Sequence, residues 1–224
     1  MNRCVQGNSC SMPSRVDGLD NDLPFSRSEE DDAVLDGNML GVAPRETPLI
    51  LPWPVPGNPG GFLSFANVGE WRRFVAFCGL RPGIPDIVSL KFRRAQKLYF
   101  LGWLDSDLIK AAELVALTTL ELALKDRYGA CVRDHKGKMP FARLLKYMLA
   151  DGLTDAKIPM VCRSGGTAIG FVSGDASPNL AEIRNQQAHG DPFDGLPYGG
   201  LLELVRDLIE FAYRDFGRSL NGRA

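Results

Sequence analysis

Residues 184–190 read Arg-Asn-Gln-Gln-Ala-His-Gly and place a guanidinium, a carboxamide and an imidazole close together. Asn185 and His189 share one face of a helix, because they are four residues apart. Gly190 is typical of a residue at which a helix ends. Arg184, Asn185 and His189, which we name the Arg184 corner, combine a fixed charge, a neutral hydrogen-bonding group and a side chain that exchanges protons near neutral pH. Cleavage of an RNA phosphodiester needs these three functions, and it needs no metal if the imidazole moves the proton and Arg184 holds the phosphate.

The same heptad also fits a structural role. A buried histidine at a helix end, with an arginine bound to nearby carbonyl groups, stabilises many helix termini. The position of the His189 ring separates the two interpretations. An exposed ring in a basic groove favours catalysis, whereas a ring buried against backbone carbonyls favours structure.

Arg184, Asn185 and His189, followed by Gly190, resemble the signature of the HEPN superfamily of helical domains. That signature is an arginine, a polar residue that is often asparagine, a few variable residues and a histidine. The order of the predicted helices over residues 84–216 is similar as well. The resemblance implies an all-α fold, an antiparallel helical bundle. It also implies a metal-independent endoribonuclease that acts as a dimer, with the two motifs facing each other across a cleft.

The resemblance implies Arg184, Asn185 and His189 as the catalytic residues and RNA as the partner, with no cofactor. A defence or toxin–antitoxin setting, in which an antitoxin or another protein partner binds the chain, is consistent with it. Many members of the superfamily are instead non-catalytic dimerisation or binding modules. The resemblance therefore implies the fold more firmly than the activity.

A supporting carboxylate is expected on the long helix that precedes the motif. Glu113 and Glu121 lie eight residues apart there, which separates them by about 80° around the helix axis. In the superfamily a polar residue of the corresponding helix sometimes faces the motif, and Glu121 is the candidate here. It would orient Arg184 or hold the His189 ring, although a charged residue beside an apolar stripe is equally ordinary.

A basic segment follows the long helix and is a candidate RNA-binding loop. Six basic residues stand against two aspartates within fourteen positions. Contacts to the phosphate backbone from Arg133, Lys136 and Lys138 are the functional interpretation. A solvated turn explains the same composition equally well.

Composition divides the chain into a tail, a linker and a domain. Residues 1–48 hold four arginines and nine acidic residues and lack a periodic apolar pattern, so they predict a disordered acidic tail. Residues 49–67 are rich in proline and glycine and predict an extended linker, although Trp53 suggests that it lies against the domain. Residues 68–218 are mildly basic and predict the helical bundle domain.

Cysteine usage and hydropathy indicate the expected cellular location and the kinds of site that the chain can form. Five cysteines at irregular spacing argue against a disulfide framework and favour a reducing, cytoplasmic location. No apolar run is long enough to predict a membrane span. Paired Cys-x-x-Cys or His-x-x-x-His units are also missing, so no metal site is expected.

Apolar spacing predicts the helices that position the motif. Ser177 and Pro178 are the expected N-cap and first residue of the motif helix. Residues 158–174 predict a small β-hairpin or a flexible loop insertion, because two glycines separate β-prone runs. The other expected helices start near residue 68 and cover about 86–103, 105–128, 140–150 and 200–216.

Overall fold

The computed structural model describes residues 45–132, 137–190 and 195–215, and these residues are mainly α-helical. A two-stranded antiparallel sheet precedes the helices. Its strands are β1 (Leu49–Pro52) and β2 (Phe62–Phe65). The helices are α1 (Val68–Phe77), α2 (Asp86–Leu101), α3 (Asp107–Val132), α4 (Phe141–Ala150), α5 (Pro159–Ser164), α6 (Ile169–Ser173), α7 (Leu180–Ala188) and α8 (Leu201–Ala212).

Helix α3 is the element on which α2, α4, α7 and α8 all pack. It runs for 26 residues, rich in alanine and leucine, and the Asp107 amide at its start donates to the Asp105 carboxylate over 3.0 Å. The helix extends to Val132, past the predicted end near residue 128. A Cβ at Gly129, inside the helix, would lie 2.7 Å from the Met139 sulfur, so this glycine permits close packing.

Helix α8 is buried on nearly every side. Leu201, Val205, Leu208 and Ala212 form the predicted apolar seam and are all buried. The polar side chains of the opposite face are also inaccessible, because the β-hairpin and α5 cover them. The helix ends at Ala212, with Tyr213 as its C-cap, so it is shorter than the predicted closing helix of 200–216. Residues beyond 215 lie outside the described residues, as do residues 1–44 of the predicted tail.

The segment predicted as an extended linker contains the β-hairpin. Leu49 pairs with Phe65, and Pro52 pairs with Phe62. Leu49 and Leu51 point into the core while Ile50 is 61% exposed, which is the two-residue alternation of a strand. Trp53 is buried and meets the Phe74 ring of α1 at 4.9 Å. This segment is therefore part of the same hydrophobic core as the helices.

The hairpin predicted for residues 158–174 is wrong, because two short helices, α5 and α6, occupy this segment. Gly165 and Gly166 between them have φ values of 78° and 81° and reverse the chain, so the glycines mark a break but not a strand turn. The Asp155 carboxylate accepts hydrogen bonds from the Ala168 amide and the Thr167 hydroxyl. These contacts hold the connection in place.

Helix α7 begins later than predicted. Its N-cap is Asn179, not Ser177, and its first residue is Leu180. The Asn179 side chain accepts from the Glu182 amide, and the Glu182 carboxylate accepts in return from the Asn179 amide. This reciprocal capping box satisfies amides at the start of the helix and determines where it begins.

Candidate functional site

The motif occupies the second half of α7, where its side chains point in different directions. Arg184 is turned towards α3 and is half-buried, whereas Asn185 and His189 are exposed. Ile183 and Gln187 are buried and anchor the helix to the rest of the domain. The helix therefore presents one face to the core and leaves the carboxamide and the imidazole accessible.

Arg184 forms an ion pair with Glu121 of α3, the carboxylate that was expected to face the motif. Its Nη2 donates to Glu121 Oε2 over 2.6 Å, and the other carboxylate oxygen accepts from Lys125 Nζ over 2.6 Å. Burial acts to raise the pKa of Glu121, but the hydrogen bonds and charges of Lys125 and Arg184 outweigh it and hold this pKa below its usual range. Glu121 is thus ionised at neutral pH and orients the guanidinium.

The guanidinium of Arg184 keeps donors for an anion. Nη1 donates to Asn185 Oδ1 over 2.9 Å, so the neighbouring carboxamide and Glu121 together engage two of its five N–H groups. The buried Nε has no partner among the described residues. Because its oxygen faces Arg184, the Asn185 carboxamide retains its amino group for another acceptor.

His189 lies at the end of α7 as its C-cap. Its backbone amide donates to the Gln186 carbonyl over 3.1 Å, and Gly190 follows with a φ of 116°. The residue is exposed, as the catalytic interpretation requires, and within the described ranges its ring has no hydrogen-bond partner. An exposed imidazole at a helix end can accept and release a proton from solvent or from a bound ligand.

Glu113 holds the end of the motif helix from the same side as Glu121. It accepts from the Tyr198 amide over 2.6 Å and from Gln187 Nε2 over 3.1 Å, and Lys110 Nζ lies 3.7 Å away. Burial raises the pKa of Glu113 to about 8, despite the opposing charge of Lys110 and these hydrogen bonds. Both carboxylates of the sequence analysis therefore face α7, but they bind different residues.

The surroundings of the Arg184–Glu121 pair are strongly positive. Lys91 of α2 lies 3.4 Å from the Thr118 carbonyl of α3. Burial lowers the pKa of Lys91, and the charges of Arg94, Lys125 and Arg184 lower it further. Among the described side chains, Arg184, Lys125, Lys91 and Arg94 lie near the carboxylate of Glu121, so this side of the corner attracts anions.

The predicted RNA-binding loop is only partly described. Arg133 and Lys136 lie outside the described residues, and Lys138 is exposed just after them. The cation that shares Glu121 with Arg184 is Lys125, at the other end of the predicted basic segment. The roles of Arg133, Lys136 and Lys138 remain predictions.

A second polar cluster, which the sequence analysis did not identify, surrounds Glu203 of α8. Arg163 binds both oxygens of Glu203 at 2.7 and 2.8 Å, and Trp53 Nε1 donates to the same carboxylate over 3.0 Å. Arg206 donates to Glu203 and to Asp207, which in turn accepts from the Met160 amide. The cluster ties the hairpin and α5 to α8, so its role is to hold elements together. Only the i,i+3 spacing of Glu203 and Arg206 hinted at it.

The described residues contain no group of three or more histidine, cysteine, aspartate or glutamate side chains that could hold a metal ion. Over the same ranges, every helix is too short or too polar to cross a lipid bilayer.

Comparisons of the chain with protein-family models, with curated proteins and with solved structures gave no match. What the corner can do follows from its own residues. Arg184 is oriented by a buried carboxylate, and His189 is exposed on the same short helix.

Proposed function

We propose that this chain is a metal-independent endoribonuclease of the HEPN type that acts as a dimer. The observation that carries the proposal is the Arg184–Glu121 ion pair of 2.6 Å together with an exposed His189 five residues further along the chain. An arginine with two partners is held in place yet keeps N–H groups for a phosphate. A helix end that leaves its histidine in solvent keeps that ring available for proton transfer.

The fold part of the proposal is an antiparallel helical bundle of the HEPN kind. It is supported by the packing of α2, α4, α7 and α8 on the long helix α3. The motif follows that helix in sequence, and its Arg184 binds Glu121 of α3, the carboxylate expected to support the motif.

The proposed reaction is attack of a ribose 2′-oxygen on the adjacent phosphorus. The 2′-hydroxyl gives its proton to an imidazole as the new P–O bond forms, and the bond from phosphorus to the 5′-oxygen breaks as that oxygen takes up a proton. The products are a 2′,3′-cyclic phosphate and a 5′-hydroxyl. Arg184 stabilises the negative charge on the phosphorane, and Asn185 positions the phosphate or the imidazole.

A dimer would solve the acid–base problem of this reaction. The motif of one protomer contributes a single imidazole, His189, whereas the reaction needs a base and an acid. Two copies around a two-fold axis would bring two His189 rings to one cleft. A cytoplasmic defence or toxin–antitoxin setting is part of the same proposal.

Incubation of purified protein with labelled RNA in excess EDTA tests the activity. We expect cleavage by the wild type, products with cyclic phosphate ends and no cleavage by His189→Ala. Gln186→Ala is the matched control, since Gln186 is an exposed neighbour in the same turn. RNA with 2′-O-methyl groups should resist cleavage, because it lacks the attacking hydroxyl. Cleavage by His189→Ala at the wild-type rate, or cleavage that EDTA abolishes, would contradict the mechanism.

The second candidate function is a non-catalytic dimerisation or ligand-binding module with the same fold. The engagement of Arg184 by Glu121 and Asn185 favours it, because those contacts also stabilise the α3–α7 interface. In that case the wild type leaves RNA intact, and Arg184→Ala changes stability or association alone.

A further inference from the structure

Helix α2 presents an unusually basic outer surface. Its inward residues are Val88, Phe92, Ala95 and Tyr99. Asp86, in the first turn, is its one acidic residue. The cations on its other faces, together with one arginine of α1, form what we name the basic track: Arg72, Lys91, Arg93, Arg94 and Lys97.

Within the described part of the chain, the exposed members of the basic track have no anionic partner. Arg93, Arg94 and Lys97 form neither an ion pair nor a side-chain hydrogen bond with other described residues, and the same holds for Arg72. By contrast, the cations near α8, such as Arg163 and Arg206, are paired with carboxylates. Unpaired positive charges that repel one another are relieved when a polyanion binds.

One side of the track forms the rim of a groove between α1 and α2. A cavity of about 240 Å³ is lined by Arg72, Arg93 and Lys97 around an apolar floor that includes Val75 and Phe100. It adjoins a second cavity of about 510 Å³, with which it shares Ala76, Arg93 and Gln96. Cations for phosphates beside apolar and aromatic surface for bases are the two features of single-stranded nucleic-acid sites.

The other side of the track reaches the Arg184 corner. Lys91 Nζ donates to the Thr118 carbonyl of α3 over 3.4 Å, and Thr118 lies three residues before Glu121, the partner of Arg184. Lys91 and Lys97 are six residues apart on α2, which is about 9 Å along the helix axis. The positive surface therefore runs from the α1–α2 groove across α2 to Arg184.

From this continuity we infer that the basic track binds the sugar–phosphate backbone of single-stranded RNA and directs the strand to the Arg184 corner. The choice of RNA as the polyanion rests on the proposed function. Arg93 and Lys97 bind phosphates at the groove, and Lys91 and Arg94 bind those next to the corner. An acidic protein surface would satisfy the same charges, but it would not use the apolar floor at Phe100.

Binding of a short single-stranded oligoribonucleotide with 2′-O-methyl groups tests the track without any need for cleavage. Fluorescence anisotropy gives the dissociation constant for the wild type, for Lys97→Glu and for Arg93→Glu/Lys97→Glu. Lys146→Glu is the matched control, because Lys146 is also an exposed helical lysine without a partner among the described residues. Arg93→Gln/Lys97→Gln replaces the double variant if charge reversal prevents folding.

We expect the double variant to bind about tenfold or more weakly than the wild type, and its affinity to depend less steeply on salt, because fewer counterions are released. Lys146→Glu should bind within about twofold of the wild type, because its charge lies outside the track. Equal affinities of the track and control variants would overturn the inference. Binding of polyglutamate by a wild type that does not bind the oligoribonucleotide would overturn it too.

The same measurements separate this inference from the proposed function. A wild type that binds RNA through the track but leaves it intact supports the track and contradicts the nuclease. A wild type that cleaves RNA, with a double variant that binds and cleaves equally well, supports the nuclease and contradicts the track.

Discussion

Arg184 and Glu121 are 63 residues apart in the sequence, and their side chains meet at 2.6 Å between α7 and α3. The second oxygen of Glu121 binds Lys125, so one carboxylate holds two cations. The corner keeps a net positive charge, and the guanidinium keeps a defined direction. The proposed catalysis, the stability and its pH dependence at this site should all depend on that carboxylate.

Glu121→Gln should destabilise the fold by about 1–3 kcal/mol at neutral pH, because two partly buried cations lose their counter-charge. The pKa of Glu121 is held below its usual range. Its stabilising contribution is therefore present above the unfolded-state pKa and is lost as pH falls through the folded-state pKa. Urea unfolding should show that the difference in free energy of unfolding between variant and wild type becomes smaller from neutral to acidic pH. Glu46→Gln, at an exposed position, should differ very little from the wild type at any pH.

His189→Ala and Arg184→Ala should both abolish RNA cleavage, but they should differ in stability. Loss of a group that stabilises the transition state costs about 3–4 kcal/mol of activation energy. His189 is exposed, so its truncation should change the free energy of unfolding by about 0.5 kcal/mol or less. Arg184→Ala removes a partner of Glu121 and should cost about 1–2 kcal/mol. Thermal unfolding and single-turnover cleavage measure the two effects, and an unfolded His189→Ala would assign the ring a structural role.

Arg184→Lys separates charge from geometry. Lysine can keep the ion pair with Glu121, so stability should stay close to that of the wild type. It lacks the planar guanidinium that binds two phosphate oxygens at once, so cleavage should fall substantially. Single-turnover rates at saturating RNA measure this, and a wild-type rate would refute the bidentate role.

Glu113→Gln should make the free energy of unfolding less sensitive to a rise in pH. Burial raises the pKa of Glu113 from an ordinary value of 4.5 to about 8. The unfolded chain therefore releases this proton at lower pH than the folded protein, and the wild type loses stability as pH rises from about 4.5 to about 8. The amide cannot ionise, so the free energy of unfolding of the variant should rise relative to that of the wild type by up to about 1.4 kcal/mol per pH unit in that window. Parallel unfolding curves from pH 5 to pH 9 would show that Glu113 is ionised throughout.

The proposed mechanism predicts self-association through the motif edge, because the reaction needs two imidazoles. Light scattering at tens of micromolar should give the mass of a dimer. A monomer at that concentration that still cleaves RNA would rule out the paired-site mechanism. A mutational loss of association should reduce cleavage in proportion, because an isolated protomer would lack the second His189.

The helices that position the site could be predicted from apolar periodicity. Trp71 and Val75 of α1 and its C-cap Cys78 are buried at the spacing of one helical face, and so are Leu201 and Val205 of α8. A residue repeat of about 3.6 places such side chains on one face whatever the tertiary contacts are. The segment 49–67 was predicted as an extended linker, because its prolines favour an extended path and do not reveal the pairing of β1 with β2. In the segment 158–174, short apolar runs around glycines fit either a strand or a helix.

The buried polar contacts could not be predicted in the same way. Glu203 and Arg163 are 40 residues apart, and neither residue type indicates burial by itself. Glycine is typical of helix ends, but Gly129 lies inside α3, where the Met139 side chain packs against it. Such contacts depend on which elements meet and at what distance.

The sequence by itself determined the residue types of the motif, its place at a helix end before Gly190 and the presence of two carboxylates on the long helix. Only the tertiary structure decided that Glu121 binds Arg184 while Glu113 binds Gln187. Both carboxylates lie on α3, so local spacing alone allows either of them to contact the motif. The position and direction in which α7 packs on α3 select the pairs, because an ion pair or a hydrogen bond forms only over about 3 Å.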